Sequence, residues 1–116
     1  MTVSDLIDQL KLEVAAGVSG LDREINGGYC GDLLSDVMGN APMGCIWLTI
    51  QGHQNIVAVA HLRDMAAIVL AAGRAPDKAC VQKADAKSIP VLLWPGPCFE
   101  LAGRLTSMGI AESKDP

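Results

Sequence analysis

The sequence predicts an α/β fold, a three-layer α/β/α sandwich with a mainly parallel sheet. Three short runs, 45–50, 65–70 and 89–94, are almost wholly apolar, as expected of strands buried on both faces. The segments between and after them place apolar residues at helical spacing, so strand and helix alternate through the C-terminal two thirds of the chain. Hydrophobic residues make up 50% of the chain but aromatics only 3%. The layers must therefore pack through aliphatic and small side chains, which suits helices lying on a parallel sheet.

The elements follow in order. Ser4 and Asp5 offer cap chemistry ahead of Leu6, Ile7 and Leu10, so a short amphipathic helix is expected there. Residues 11–14 alternate polar and apolar as a strand does. Gly17, Gly20 and the polar run Asp22, Arg23, Glu24 form a loop, and residues 25–30 read as a short strand whose glycines admit a close neighbour. Asp32 is the expected N-cap of a helix carrying Leu33, Leu34, Val37 and Met38, stopped by Gly39 and Asn40. Residues 56–60 alternate like a strand, yet Ile56, Val59, Ala60 and Arg63 also fit a helix, which is the reading adopted. Pro76 is expected as the first helical residue of a segment running to Lys87, with Ala79, Cys80, Val81 and Ala84 inward. Cys98, Leu101, Ala102, Leu105 and Met108 make the last helical stripe, and Gly103 within it carries a cost that a close approach to the sheet could offset.

A chain of 116 residues fits one domain, expected at 1–110 with a frayed tail at 111–116. It is long enough to bury a core without a disulfide or metal staple. The net charge of −4 with no Lys/Arg cluster argues against a nucleic-acid surface and an anionic membrane. The start lacks the basic flank and apolar core of a signal peptide, and no apolar run approaches the ~20 residues of a membrane helix, so a soluble cytoplasmic location is expected. Cys30, Cys45, Cys80 and Cys98 are widely separated and read as free, mostly buried thiols.

No catalytic residue, metal or cofactor is expected. His53 and His61 lack a cysteine or carboxylate at ligand spacing. The glycines around Tyr29 follow neither the dinucleotide-binding nor the phosphate-loop order. Cys30 has no base placed beside it by sequence. Chemistry is instead expected where strand ends and helix N-termini meet, because unpaired N–H groups there attract anions. The three such loops are 51–55, 72–74 and 95–97. Gln51, His53, Gln54 and Asn55 can hydrogen-bond a small ligand, Gly73 and Arg74 can approach and pair with its charge, and Gly27 and Gly28 join the candidate set.

The run from Asp22 to Met38, with Gly27 and Gly28 inside it, followed by Gln51, Gly52, His53, Gln54, Asn55 and the helix after them, resembles a stand-alone DRTGG-domain protein over about residues 12–110. Such domains are similar to the N-terminal domain of HPr kinase. They occur as accessory, regulatory units in phosphotransacetylases and CBS-containing pyrophosphatases. The resemblance implies an α/β/α fold, a homodimer, and a regulatory or ligand-sensing role, with a hydrogenase-related protein as partner because similar stand-alone chains accompany iron hydrogenases. The alternative it leaves is a structural or assembly partner of a hydrogenase or other redox complex. This chain departs from the pattern: no threonine stands beside the glycines, and Ala71, Ala72, Gly73 occupy the place of a Thr-Gly-Gly strand exit. The phosphate-loop domain that makes HPr kinase a kinase is absent from the sequence.

Overall fold

A computed structural model describes residues 1–110; the expected tail at 111–116 lies outside the described residues. The first helix, α1 (Val3–Leu10), is closed by a capping box in which Thr2 and Asp5 bond each other's backbone N–H groups. Thr2 is thus the cap, two residues before the expected Ser4, and Asp5 is its partner three residues on. Strand β1 (Glu13–Ala16) starts two residues later than expected, because Lys11 is consumed in the left-handed turn that ends α1. A 3₁₀ turn, Val18–Gly20, leads to β2 (Gly28–Cys30), shorter than the 25–30 run foreseen.

The alternation then runs α2 (Leu34–Asn40), β3 (Ile46–Thr49), α3 (Asn55–Leu62), β4 (Ala67–Leu70), α4 (Lys78–Lys87), β5 (Val91–Leu93) and α5 (Cys98–Ser107). The strands form one sheet in the order β1-β5-β4-β3-β2, with β2 to β5 parallel and β1 antiparallel to β5. Each crossover steps to the next strand in the same direction. Crossovers of one hand then place all three helices on one face. Accordingly Val37, Ile56, Val57, Cys80 and Ala84 pack with Trp47, Ile68, Leu70 and Val91 on that side. The opposite face would be bare but for the chain ends: Val3 and Leu6 of α1 and Leu101 and Leu105 of α5 cover Ile46, Leu48, Ala67, Val69 and Leu92. The three-layer α/β/α sandwich is therefore the observed architecture, and residues 56–60 are helical.

Four local expectations are corrected. Asp32 is not the N-cap of α2; Leu33 holds that position without a side-chain bond, and the Asp32 carboxylate turns to β3 instead. Pro76 precedes the helix: Asp77 caps α4 by accepting from the Cys80 N–H at 2.7 Å, a bond proline could not have replaced. Ala79 is exposed, leaving Cys80 and Ala84 as the buried residues of α4. Gly103 has none of the described residues within 4 Å of where a Cβ would stand, so no close approach to the sheet explains it.

Glycines matter where the β1–β2 connection passes under the sheet. A Cβ on Gly17, whose φ is +74°, would sit 2.0 Å from the Ile89 carbonyl oxygen, and one on Gly20 would sit 2.1 Å from that of Ser88. Any larger residue would push the connection off the amino ends of the strands. The Gly17 N–H is held by Asp85 Oδ1 at 2.8 Å. Arg23 closes the same end: Nε donates to the Ser88 carbonyl at 3.3 Å, and one terminal nitrogen reaches the Met65 carbonyl and Asp64, each at 3.5 Å. Arg23 thus acts as a clamp at the amino ends of β4 and β5.

Candidate functional site

At the carboxyl ends of the parallel strands the three loops expected to bind a ligand meet. Loop 51–55 leaves β3 and abuts the β4 exit: the Asp77 N–H donates to the Gly52 carbonyl at 2.9 Å. A Cβ on Gly52 would lie 2.3 Å from the Ala75 carbonyl oxygen, so only glycine lets the two loops touch. The β4 exit turns at Ala72 and Gly73, both with positive φ. The Ala72 N–H donates to the Gly96 carbonyl at 2.8 Å and the Gly73 N–H to that of Trp94 at 3.3 Å. One continuous rim results, running from β2 across β3 and β4 to β5.

Asp32, at the end of β2, anchors that rim. Its Oδ1 accepts from the Thr49 hydroxyl at 2.7 Å and the Ile50 N–H at 3.0 Å. Thr49 is the one polar residue of the described chain that is fully buried, and a buried hydroxyl demands a partner. Gln51 completes the tie by donating its side-chain amide to the Asp32 carbonyl. This network was invisible in the sequence. An aspartate just before a helical pattern signals a cap, and nothing local says that it reaches a threonine seventeen residues away.

The candidate residues divide into two groups. Gln51, His53, Gln54, Asn55, Gly73 and Arg74 share the rim, and His53, Gln54, Asn55 and Arg74 are exposed. Gly27 and Gly28 do not join them. Gly28 pairs with Ile46, the first residue of β3, and the Gly27 carbonyl accepts from the Ile46 N–H at 2.9 Å. They lie a strand length away, roughly 10–13 Å, at the other end of the sheet.

Electrostatics distinguish the helix N-termini along the rim. Asp77 occupies that of α4, which leaves it closed to a further anion. The first turn of α3 carries no acidic residue, and His53 Nδ1 accepts from the Asn55 N–H at 3.1 Å. Arg74 makes no ion pair among the described residues. Beyond it, Arg104 lies over the Trp94 ring at 5.6 Å while pairing with Glu100 at 3.4 Å, and the Trp94 indole N–H donates to the Pro97 carbonyl.

A cavity of about 180 Å³ opens elsewhere, between the edge strand β2 and α5, lined by Gly28, Cys30, Leu48, Ala102, Leu105 and neighbours. Among the described residues no group of three His, Cys, Asp or Glu side chains is placed to hold a metal. No helix there is long and apolar enough to cross a membrane. Of the four thiols expected to be mostly buried, Cys45 and Cys80 are, whereas Cys30 is exposed and Cys98 half-buried.

No family model matches the sequence, and no curated protein matches it. The fold does match a solved structure, the CBS and DRTGG domains of the regulatory region of Clostridium perfringens pyrophosphatase complexed with its activator, diadenosine tetraphosphate. The TM-score is 0.65 at 15% identity, covering 98% of this chain. The chain spans about half of that structure, 51%. The likeness supports a DRTGG-like fold, in a neighbour that is a regulatory region rather than a catalytic one.

Proposed function

We propose that this chain is a regulatory, ligand-sensing module without a catalytic centre of its own, and that it binds a small anionic ligand such as a nucleotide at the strand-end rim. The observation that carries this reading is the junction of three loops at the carboxyl ends of β3, β4 and β5. There the N-terminus of α3, with no acidic residue in its first turn, adjoins the loop of Arg74, which is exposed and makes no ion pair among the described residues. A helix N-terminus and an exposed arginine both favour negative charge. Gln51, His53, Gln54, Asn55 and Gly73 supply polar and close-approach contacts there, whereas Gly27 and Gly28 take no part. The fold shared with a regulatory region crystallised with a dinucleotide activator adds support. Sensing requires that the ligand bind two conformations with different affinity, and a homodimer is the assembly in which we place that change.

Calorimetric titration with ATP and diadenosine tetraphosphate, beside uncharged adenosine, tests the reading. Binding of the anions alone, weakened about tenfold or more by Arg74→Ala, is the expected result. Failure of every anion to bind at millimolar concentration, or binding indifferent to both Arg74→Ala and His53→Ala, would refute it.

A second reading, a structural or assembly partner for a hydrogenase or another redox complex, draws on the exposed apolar side chains Leu33, Met43, Leu62 and Phe99. Capture of a hydrogenase-related protein from an anaerobic host, lost on Phe99→Ser or Leu62→Ser, would favour it.

A further inference from the structure

Two of the four thiols, 68 positions apart in sequence, come together in the fold. Cys30 ends β2 and stands opposite Leu48 in register. That register places it on the face covered by α5, and it lines the β2–α5 cavity with Ala102, Leu105 and Thr106. Cys98 opens α5, one helical turn before Ala102, and packs on the same cluster as Leu48. Both side chains therefore lie on the same face of the sheet at this end of α5, where the Cys98 thiol acts on that of Cys30 and helps to raise it. Cys45 and Cys80 are both buried within the opposite layer. An exposed thiol beside a half-buried one is a different arrangement from two thiols enclosed in the core.

We propose that Cys30 and Cys98 form a thiol–disulfide exchange site whose oxidant is a low-molecular-weight disulfide such as oxidised glutathione. Cys30, the sulfur presented to solvent, attacks one sulfur of the glutathione disulfide as its thiolate. The glutathione S–S bond breaks, one glutathione leaves as thiolate, and the other stays on Cys30 as a mixed disulfide. The Cys98 thiolate then attacks the Cys30 sulfur and expels the second glutathione. The protein gives up two electrons and two thiol protons; the glutathione disulfide takes them and departs as two thiols. The product bond ties the end of the edge strand to the first turn of α5. Burial and the adjoining Cys98 hold the Cys30 thiol up at about 11, so exchange accelerates with alkalinity as the thiolate fraction rises.

The purified full chain, incubated with oxidised glutathione at pH 8 and mapped by peptide mass spectrometry with fragmentation, tests this. The expected product carries a Cys30–Cys98 linkage and no retained glutathione, while Cys98→Ser keeps one glutathione on Cys30. Glutathione persisting on Cys30 of the unaltered chain, an unmodified pair, or a linkage involving Cys45 or Cys80 would each overturn the proposal. Phenylarsine oxide, which needs two neighbouring sulfurs, gives a readout that requires no variant. Under native conditions it should take one equivalent and abolish the reactivity of both thiols, and survival of either thiol counts against the site.

Discussion

Removing the carboxylate of Asp32 separates two accounts of that residue. In the structure it accepts from the buried Thr49 hydroxyl at 2.7 Å and the Ile50 N–H at 3.0 Å. Bonds to a charged acceptor are worth about 1.5–3 kcal/mol, and a stranded buried hydroxyl costs about 1–3 kcal/mol. Asp32 is itself exposed, so water replaces part of what is lost. Asp32→Ala should therefore lower the unfolding free energy by about 2 kcal/mol. Thr49→Val alone should cost about 1 kcal/mol. The double variant should cost about 1 kcal/mol less than the sum, because both changes delete the same bond. Urea unfolding followed by far-ultraviolet circular dichroism gives all three values, provided the transition is two-state. Were Asp32 only a helix cap, its loss would still cost about 1 kcal/mol, but it would add to Thr49→Val without coupling. A coupling below about 0.3 kcal/mol refutes the strand-to-strand tie.

Other expectations follow from the same geometry. Gly17→Ala places a Cβ 2.0 Å from the Ile89 oxygen at a positive φ, and should destabilise by about 3 kcal/mol or more; thermal unfolding checks it, and an unchanged midpoint would refute the close approach. Gly52→Ala should separate loops 51–55 and 72–76, costing about 2 kcal/mol and abolishing anion binding seen by calorimetry. Arg23→Leu should cost about 1–3 kcal/mol by denaturant titration without altering ligand affinity, since the clamp lies at the far end of the sheet. Burial pushes the Cys45 and Cys80 thiols up from 9.0 to about 11, so the unfolded chain releases those protons first. Stability is then undiminished below pH 9 and falls between pH 9 and 11, by up to about 1.4 kcal/mol per pH unit for each thiol. Cys45→Ala should flatten that fall, and an identical profile in the variant would contradict it.

The layered architecture was legible because it is written in local periodicity. Runs such as Ile46–Thr49, apolar but for Thr49, and Ala67–Leu70, fully buried in the sheet, cannot be solvated strands. The helical stripe of α5, with Leu101 and Leu105 buried, shows the same rule at period 3.6. Boundaries were less legible, since a cap depends on which polar side chain the backbone turns toward: Thr2 rather than Ser4, Asp77 rather than Pro76. The rim loops were found as loops because Gly52, Gly73 and their polar neighbours interrupt apolar strands.

By itself, then, the sequence determined the α/β alternation, the buried strands and the polar loops that follow them, all properties of neighbouring residues. Only the tertiary structure decided which distant groups share a place. It put Gly27 and Gly28 at the opposite end of the sheet from Arg74, gave Asp32 to Thr49, and set Cys30 against Cys98. The physical reason is that strand order and helix packing bring residues together across tens of positions. A pairing of that kind leaves no trace in the hydrophobic period of either segment.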